Sequence, residues 1–254
     1  MPNFFSSTWL VFSRAMRLSL RNPVWVILGL IQPILYLTLF GPLLEPVASA
    51  PGFPPGDAWQ VFVPGLLVQL GLFGASFVGF GLIAEWRAGV VERMRVTPAS
   101  RSALLVGRML RDVVVLVVQG AILIGCAQFF GLDAPLDAIL IGLGVVALLG
   151  ASFSALSYAV ALKLKSEDAF APLLNGIIVP VLLLSGILLP MSLAPTWLQR
   201  VSEANPLRYV VDGIRAIFRG DATSATSLWG VIVTLGLVAV GVAYGTRTFR
   251  RESA

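Results

Sequence analysis

Histidine is absent from the 254 residues, cysteine occurs once, and only 12% of the chain is charged. The missing histidines and the lone Cys126 exclude the usual zinc sites and any disulfide within one chain. Cys126 lies in an apolar run and reads as a small packing residue. A phosphate-binding loop of the form G-x-x-x-x-G-K-[ST] is missing too, since the only lysines, Lys163 and Lys165, lack its glycines. The long apolar runs hold no Asp, Glu, Lys, Arg or His apart from Arg108, Arg111 and Asp112, where the third run begins. Ion-coupled carriers usually depend on an ionisable residue at depth. A membrane protease or acyltransferase would need a histidine, a metal site or paired carboxylates there. If this chain takes part in active transport, the energy must come from a partner.

What is present in abundance is apolar surface. With 57% hydrophobic residues and a mean hydropathy of +0.89, the chain is an all-α polytopic membrane protein, read as a single transmembrane domain over 1–254. Its net charge of +5 and pI ≈ 10.0 imply no nucleic acid, because basic residues at the ends of apolar spans set orientation in the membrane. Residues 1–23 form an amphipathic helix. Phe5, Trp9, Phe12, Met16 and Leu20 share one face, opposed by Arg14, Arg17 and Arg21, a pattern that lies in the membrane interface. Ala48-Ser49-Ala50 resembles a signal-peptidase site, but the apolar run before it exceeds the ~7–15 residues of such a peptide.

Six spans are predicted, over 24–44, 59–83, 104–130, 138–162, 169–189 and 228–245, each long enough for ~30 Å of hydrocarbon. Gly71, Ala75 and Gly79 in the second, and Gly142, Gly150 and three serines in the fourth, favour close helix approach. Pro172 and Pro180 predict a kink in the fifth. Between the fifth and last spans, over 190–220, the pattern changes. Pro190, Pro195 and Pro206 punctuate two short amphipathic helices, one carrying Trp197 and the other Arg208, Asp212 and Arg215. Asp212 lies within one turn of both arginines and is expected to be their shared partner. Placing both termini inside puts 14 of the 18 basic residues on the inner side, in line with the positive-inside bias. The first turns of the third span are then expected to project into the cytoplasm.

The stretch from Glu85 to Arg111 holds six of those basic residues: Arg87, Arg93, Arg95, Arg101, Arg108 and Arg111. Over 85–97 it reads as a short helix along the membrane face, with Trp86, Val90 and Met94 on one stripe and Glu85, Glu92 and Arg95 on the far side. Thr97-Pro98 ends that helix, and Ser100 is placed to cap the next. The result is a polar knob that another protein can grip.

Two stretches carry a resemblance. Glu85-Trp-Arg-Ala-Gly-Val-Val-Glu-Arg-Met-Arg-Val-Thr-Pro-Ala-Ser-Arg, continuing to Gly107-Arg108, resembles the inner loop of type-2 permeases of ATP-binding-cassette exporters. Leu184-Ser-Gly-Ile-Leu-Leu-Pro190, then Pro195-Thr-Trp-Leu-Gln and Asn205-Pro-Leu-Arg-Tyr-Val-Val-Asp-Gly-Ile-Arg215, is similar to that family's C-terminal signature. In appearance the chain is nearest the daunorubicin-resistance type. Val90 departs from the threonine common after the loop glycine and is not counted as a contact.

The resemblance implies that 85–97 is a coupling helix on a separate nucleotide-binding subunit, with Glu85, Trp86, Arg87, Glu92, Met94 and Arg95 as contacts. It implies an N-terminal elbow (Trp9, Phe12, Arg14, Arg17, Arg21) and re-entrant outer helices forming a gate (Pro190, Trp197, Pro206, Arg208, Asp212, Arg215). ATP and magnesium would be held by the partner, with no cofactor in this chain and no enzyme activity of its own. A second permease subunit, identical or paralogous, would complete the pathway in a bacterial-type inner membrane. The uncharged spans suit a hydrophobic or amphiphilic cargo such as a drug or lipid. Glycan export by the same family is the alternative, and an ATP-independent channel or carrier a more distant one.

Overall fold

A computed structural model describes residues 3–49, 51–90 and 100–252. Helix α1 spans Phe4–Arg21, and Asn22-Pro23 turns the chain into the first span. That span is not one uniform helix: α2 (Val24–Leu35) passes through a π-helical turn at Tyr36–Phe40 into α3 (Gly41–Val47). Pro33 and Pro42 each lack an N–H for the ladder. The wide turn lies between them, and Thr38 donates back to the Ile34 carbonyl at 2.9 Å. The second span comprises α4 (Ala58–Ser76) and α5 (Gly79–Arg87), the third α6 (Arg101–Phe129), the fourth α7 (Leu136–Leu164) and the fifth α8 (Glu167–Leu184). Two short helices, α9 (Thr196–Ser202) and α10 (Pro206–Phe218), precede the last span, α11 (Ala225–Glu252).

Among the described residues six helical stretches are long and apolar enough to cross a membrane, as the sequence predicts. With six crossings both termini lie on one side, here called the terminal face, and α9 and α10 lie on the opposite face. The Ser100 cap is present, its Oγ accepting from the Ala103 N–H at 3.3 Å. The fifth span differs from expectation in length. Pro172 and Pro180 sit inside one continuous helix that stops at Leu184, short of the predicted Leu189. Gly186 then takes a left-handed φ of 76°, a conformation that glycine adopts without steric cost.

Helix α7 is the centre of the bundle, packed against α4, α6 and α11. Small residues set the distances. At the crossing of α10 and α11, a Cβ on Gly213 would stand 2.7 Å from the Gly230 Cα, and one on Gly230 would stand 2.8 Å from the Gly213 Cα. Backbone meets backbone there, so neither helix has a side chain to yield. Gly213→Val is therefore expected to cost ~1–3 kcal/mol, read as a lower midpoint when detergent-solubilised protein is heated and its monodisperse fraction followed. An unchanged midpoint would mean that this crossing does not hold the helices together.

The second span is broken where α4 meets α5. Phe80 and Gly81 donate to Phe77 and Val78 through i→i−3 bonds, so the Ser76 carbonyl and the Gly79 N–H lose their helical partners. One side chain of α7 serves both. Ser157 donates to the Ser76 carbonyl at 2.5 Å and accepts from the Gly79 N–H at 2.9 Å. A Cβ at position 79 would come within 2.8 Å of that hydroxyl, which explains the glycine.

Candidate functional site

Charged residues gather at two places in the bundle, one near each face. At the terminal face the cluster is built on α6. Arg108 and Asp112 are one helical turn apart and buried, with Arg111 between them. Arg108 pairs with Glu85 at the end of α5. Arg111 Nε stands 3.1 Å from Asp112 Oδ1, and its Nη1 reaches Ser19 of α1 at 3.4 Å. The Tyr158 hydroxyl of α7 donates to Asp112 Oδ2 at 2.5 Å. Two guanidinium groups are thus balanced by two carboxylates, and α1, α5, α6 and α7 are tied together at one level.

The first turns of the third span are packed inside the bundle: Arg108 is 7% and Asp112 2% exposed. Tyr158 was missed, because a single hydroxyl inside an apolar run gives no periodic signal. Glu85, expected to face a partner protein, has its carboxylate turned to Arg108 of its own chain.

Glu85, Trp86 and Arg87 also prove to be the last turn of α5, not the start of a separate helix. Ala88 and Gly89 make a turn, with Gly89 at φ 68°, before Val90. Glu92, Met94 and Arg95 lie outside the described residues. The Lys165 Nζ stands 5.4 Å from the centre of the Trp86 ring, and Arg87 Nη1 donates to Glu167 Oε1 at 3.3 Å. The turn between α7 and α8 therefore meets the root of the loop that starts at Ala88.

The N-terminal helix presents three faces. Ser7 and Thr8, with half-buried Val11, pack on α6 at Gly107, where a Cβ would stand 2.8 Å from the Thr8 carbonyl. Phe5, Trp9 and Leu20 are exposed, and Phe12 lies beside Trp9, the rings tilted by 36° with 5.3 Å between their centres. Arg14, Arg17 and Arg21 are exposed as well. The protein-facing side is the small polar one, which the amphipathic pattern alone does not single out.

At the opposite face the organising residue is Arg215 of α10, only 2% exposed. Its Nε donates to the Val61 carbonyl at 2.8 Å, and Nη2 donates to the Gly186 and Ile187 carbonyls at 2.8 and 3.3 Å. The Gly186 turn comes close because residue 65 is glycine, where a Cβ would meet the Ile187 carbonyl at 2.5 Å. Burial lowers the Arg215 pKa to about 10, so it keeps its charge at neutral pH. Asp212 does lie near both arginines, but at 3.8 Å from each. Arg208 bonds instead to the Gln199 carbonyl at 2.8 Å and the Ser202 hydroxyl at 2.6 Å, locking α9 to α10. Asn205 caps α10, accepting from Leu207 N–H and donating to the Val181 carbonyl. Pro206 opens α10, Pro190 is buried at the end of the Gly186 turn, and Trp197 is 65% exposed on α9.

Six membrane-crossing helices, a buried polar cluster near one face and a second under two short helices at the other make a multi-pass membrane protein. The sequence matches the ABC-2 type transporter family over residues 6–218, and the chain belongs to that family. It is similar to the daunorubicin resistance ABC transporter permease protein DrrB1 of Streptomyces coeruleorubidus, 26% identical over 95% of this chain and 85% of that protein. It is 28% identical to the putative transport permease ycf38 of Cyanophora paradoxa, over 78% of this chain and 69% of the relative. The probable multidrug ABC transporter permease YbhR of Escherichia coli (strain K12) is 23% identical over 69% of this chain and 48% of its own length. Membership implies a transport subunit that pairs with an ATP-binding subunit.

Proposed function

We propose that this chain is the membrane-spanning half of an ATP-driven exporter that moves a hydrophobic or amphiphilic molecule, drug-like or lipid-like, out of the cytoplasm. The observation that carries this reading is the likeness to DrrB1, which runs through nearly the whole of both chains. Apart from the Arg108, Arg111 and Asp112 cluster and groups at their ends, the spans carry no charge, which supports a cargo of low polarity. The terminal face is the cytoplasmic side of a bacterial-type inner membrane, supported by the 14 of 18 basic residues on that side. The loop from Glu85 to Thr97 docks on the nucleotide-binding subunit, with Glu92, Met94 and Arg95 on its far part and Trp86 and Arg87 at its root. ATP and magnesium bind that partner, and the chain itself holds no cofactor.

Helix α1 lies in the interface as an elbow, its aromatic side towards lipid and Arg14, Arg17 and Arg21 towards anionic headgroups, each contributing about 1 kcal/mol. Residues 190–220 form the outer gate, and a second permease subunit completes the pathway. In this assembly Glu85 and Arg108 receive the movement of the loop, and Asp112 and Tyr158 carry it into α7.

Affinity purification of the full chain from its native membrane is expected to bring down a nucleotide-binding subunit, identified by mass spectrometry and by ATP hydrolysis. Inverted vesicles holding the pair are expected to accumulate daunorubicin or a fluorescent lipid only when ATP is present. If no such subunit co-purifies, or if accumulation proceeds equally without ATP, the reading fails.

A further inference from the structure

Lys165 occupies a backbone conformation that its side chain disfavours. It ends α7 at φ 52° and ψ 16°, its N–H bonded to the Ala161 carbonyl at 2.9 Å. Every other described residue with positive φ is a glycine. Glycine is also the residue that helix ends of this geometry favour, because it has no Cβ to clash. A strained residue persists where the surroundings over-determine it, and the strain points towards function.

What holds this lysine is visible: its ammonium lies over the Trp86 ring, 5.4 Å from the centre. Two residues further, Glu167 at the start of α8 accepts from Arg87 at 3.3 Å. Two successive residues at the end of α5 are therefore gripped by two residues of one turn, a cation on an aromatic face and a carboxylate on a guanidinium. Past Ala88 is Gly89, with φ 68° and no atom of the described residues within 4 Å of where a Cβ would stand. The chain is held up to Arg87, at the root of the segment that follows.

We infer that the turn Lys165–Glu167 is a clamp that positions the root of the docking loop and passes its movement into α7 and α8. Lys165 and Glu167 are positioning residues for coupling. The inference rests on the reading of the Glu85–Thr97 segment as the part that meets the nucleotide-binding subunit. Stability alone does not explain the pairing. The Arg87 and Glu167 side chains are 51% and 40% exposed, and ion pairs that open to water contribute little to folding. Lys165 works against the fold locally. From the clamp two routes lead inwards. Along α7, Tyr158 is seven residues before Lys165 and meets Asp112 of α6, and Ser157 bridges the break in the second span. Along α8, Phe170 packs edge-on against Phe80 of α5, ring centres 4.9 Å apart.

The test uses the full chain in lipid nanodiscs with the nucleotide-binding subunit that co-purifies with it. Two quantities are read: the subunit retained, and ATP hydrolysis relative to the free subunit. Lys165→Gly removes the cation while relieving the backbone, so folding is not put at risk. It is expected to lower the permease-dependent part of hydrolysis by about five-fold or more, with the subunit still bound. Lys165→Arg, which keeps a cation over the ring, is expected to retain most of it. Glu167→Arg is expected to lower coupling, and adding Arg87→Glu to restore at least half of what was lost; Glu167→Gln gives the same direction without charge reversal.

Unaltered hydrolysis in both Lys165→Gly and Glu167→Gln overturns the clamp, as does a charge swap that restores nothing. If the unmutated chain neither binds nor stimulates a nucleotide-binding subunit, the proposed function and the clamp fall together. Stimulation by the unmutated chain with silent variants removes the clamp alone.

Discussion

Asp112→Ala is expected to be among the most damaging single substitutions in this chain, costing ~3–5 kcal/mol. The carboxylate is 2% exposed and has two dependants. Arg111 would lose the counter-charge 3.1 Å away, and the Tyr158 hydroxyl, also buried, would lose the acceptor 2.5 Å away. A guanidinium left without its carboxylate inside a bundle costs more than the pair ever contributed, because desolvation is no longer offset. Asp112→Asn keeps an oxygen for Tyr158 and should do less harm. Tyr158→Phe removes one donor but leaves the ion pair, for a loss of ~1–3 kcal/mol. The measure is the fraction of protein recovered as a monodisperse species after graded heating. The order Ala, then Asn, then Phe would support a buried network; equal recovery for all three would show that water reaches these groups.

Arg215→Ala is expected to match it from the other end of the molecule. Three carbonyls, from Val61, Gly186 and Ile187, are served by this one fork. Each hydrogen bond from a charged donor is worth ~1.5–3 kcal/mol, and the three acceptors belong to the second span and to the turn that follows the fifth. Arg215→Lys should also fail substantially, since a single ammonium cannot reproduce the planar fork that reaches both sides. Asp212→Asn should cost less than either arginine change, because its side chain is 42% exposed and stands 3.8 Å from either arginine, and its loss leaves all three carbonyl bonds of Arg215 in place. A sequence reading ranks these the other way if this helix dips into the membrane, with Asp212 as the shared partner whose loss strands two arginines, and makes the loss nearly silent if it lies on the surface. Recovery after heating and ATP-dependent cargo accumulation should both follow the structural order. A larger effect from Asp212→Asn than from Arg215→Lys would restore the sequence ranking.

That reversal shows where reading the sequence succeeds and where it stops. The spans were legible because twenty or so apolar residues are a local property, and the Ser100 cap was legible because caps act over three residues. Asp212 was correctly placed near Arg208 and Arg215, since spacing along one helix fixes proximity. Spacing does not say what else is near. The carbonyls on Arg215 come from residues 154 and 29 positions away, and carbonyls carry no sequence signature. Glu85 and Arg108 both stood in the stretch singled out for docking, yet their pairing depends on α5 continuing to Arg87. The Gly71, Ala75 and Gly79 spacing signalled close packing but not that the helix breaks before Gly79. Helix-breaking proline was the signal available, and the chain used a neighbouring serine instead.

The Ser157 bridge makes the second span a jointed rod. Bending a continuous helix means stretching its own ladder, but here the two groups at the joint are already bonded to α7. The nine residues of α5 make a lever of about 13 Å at 1.5 Å per residue. A tilt of about 10° at the joint would carry its tip sideways by about 2 Å. The fulcrum thus sits on α7, the helix that also bears the far end of the clamp. A push at the membrane surface would be geared through a single axle, leaving α4 and the opposite face still while α5 moves.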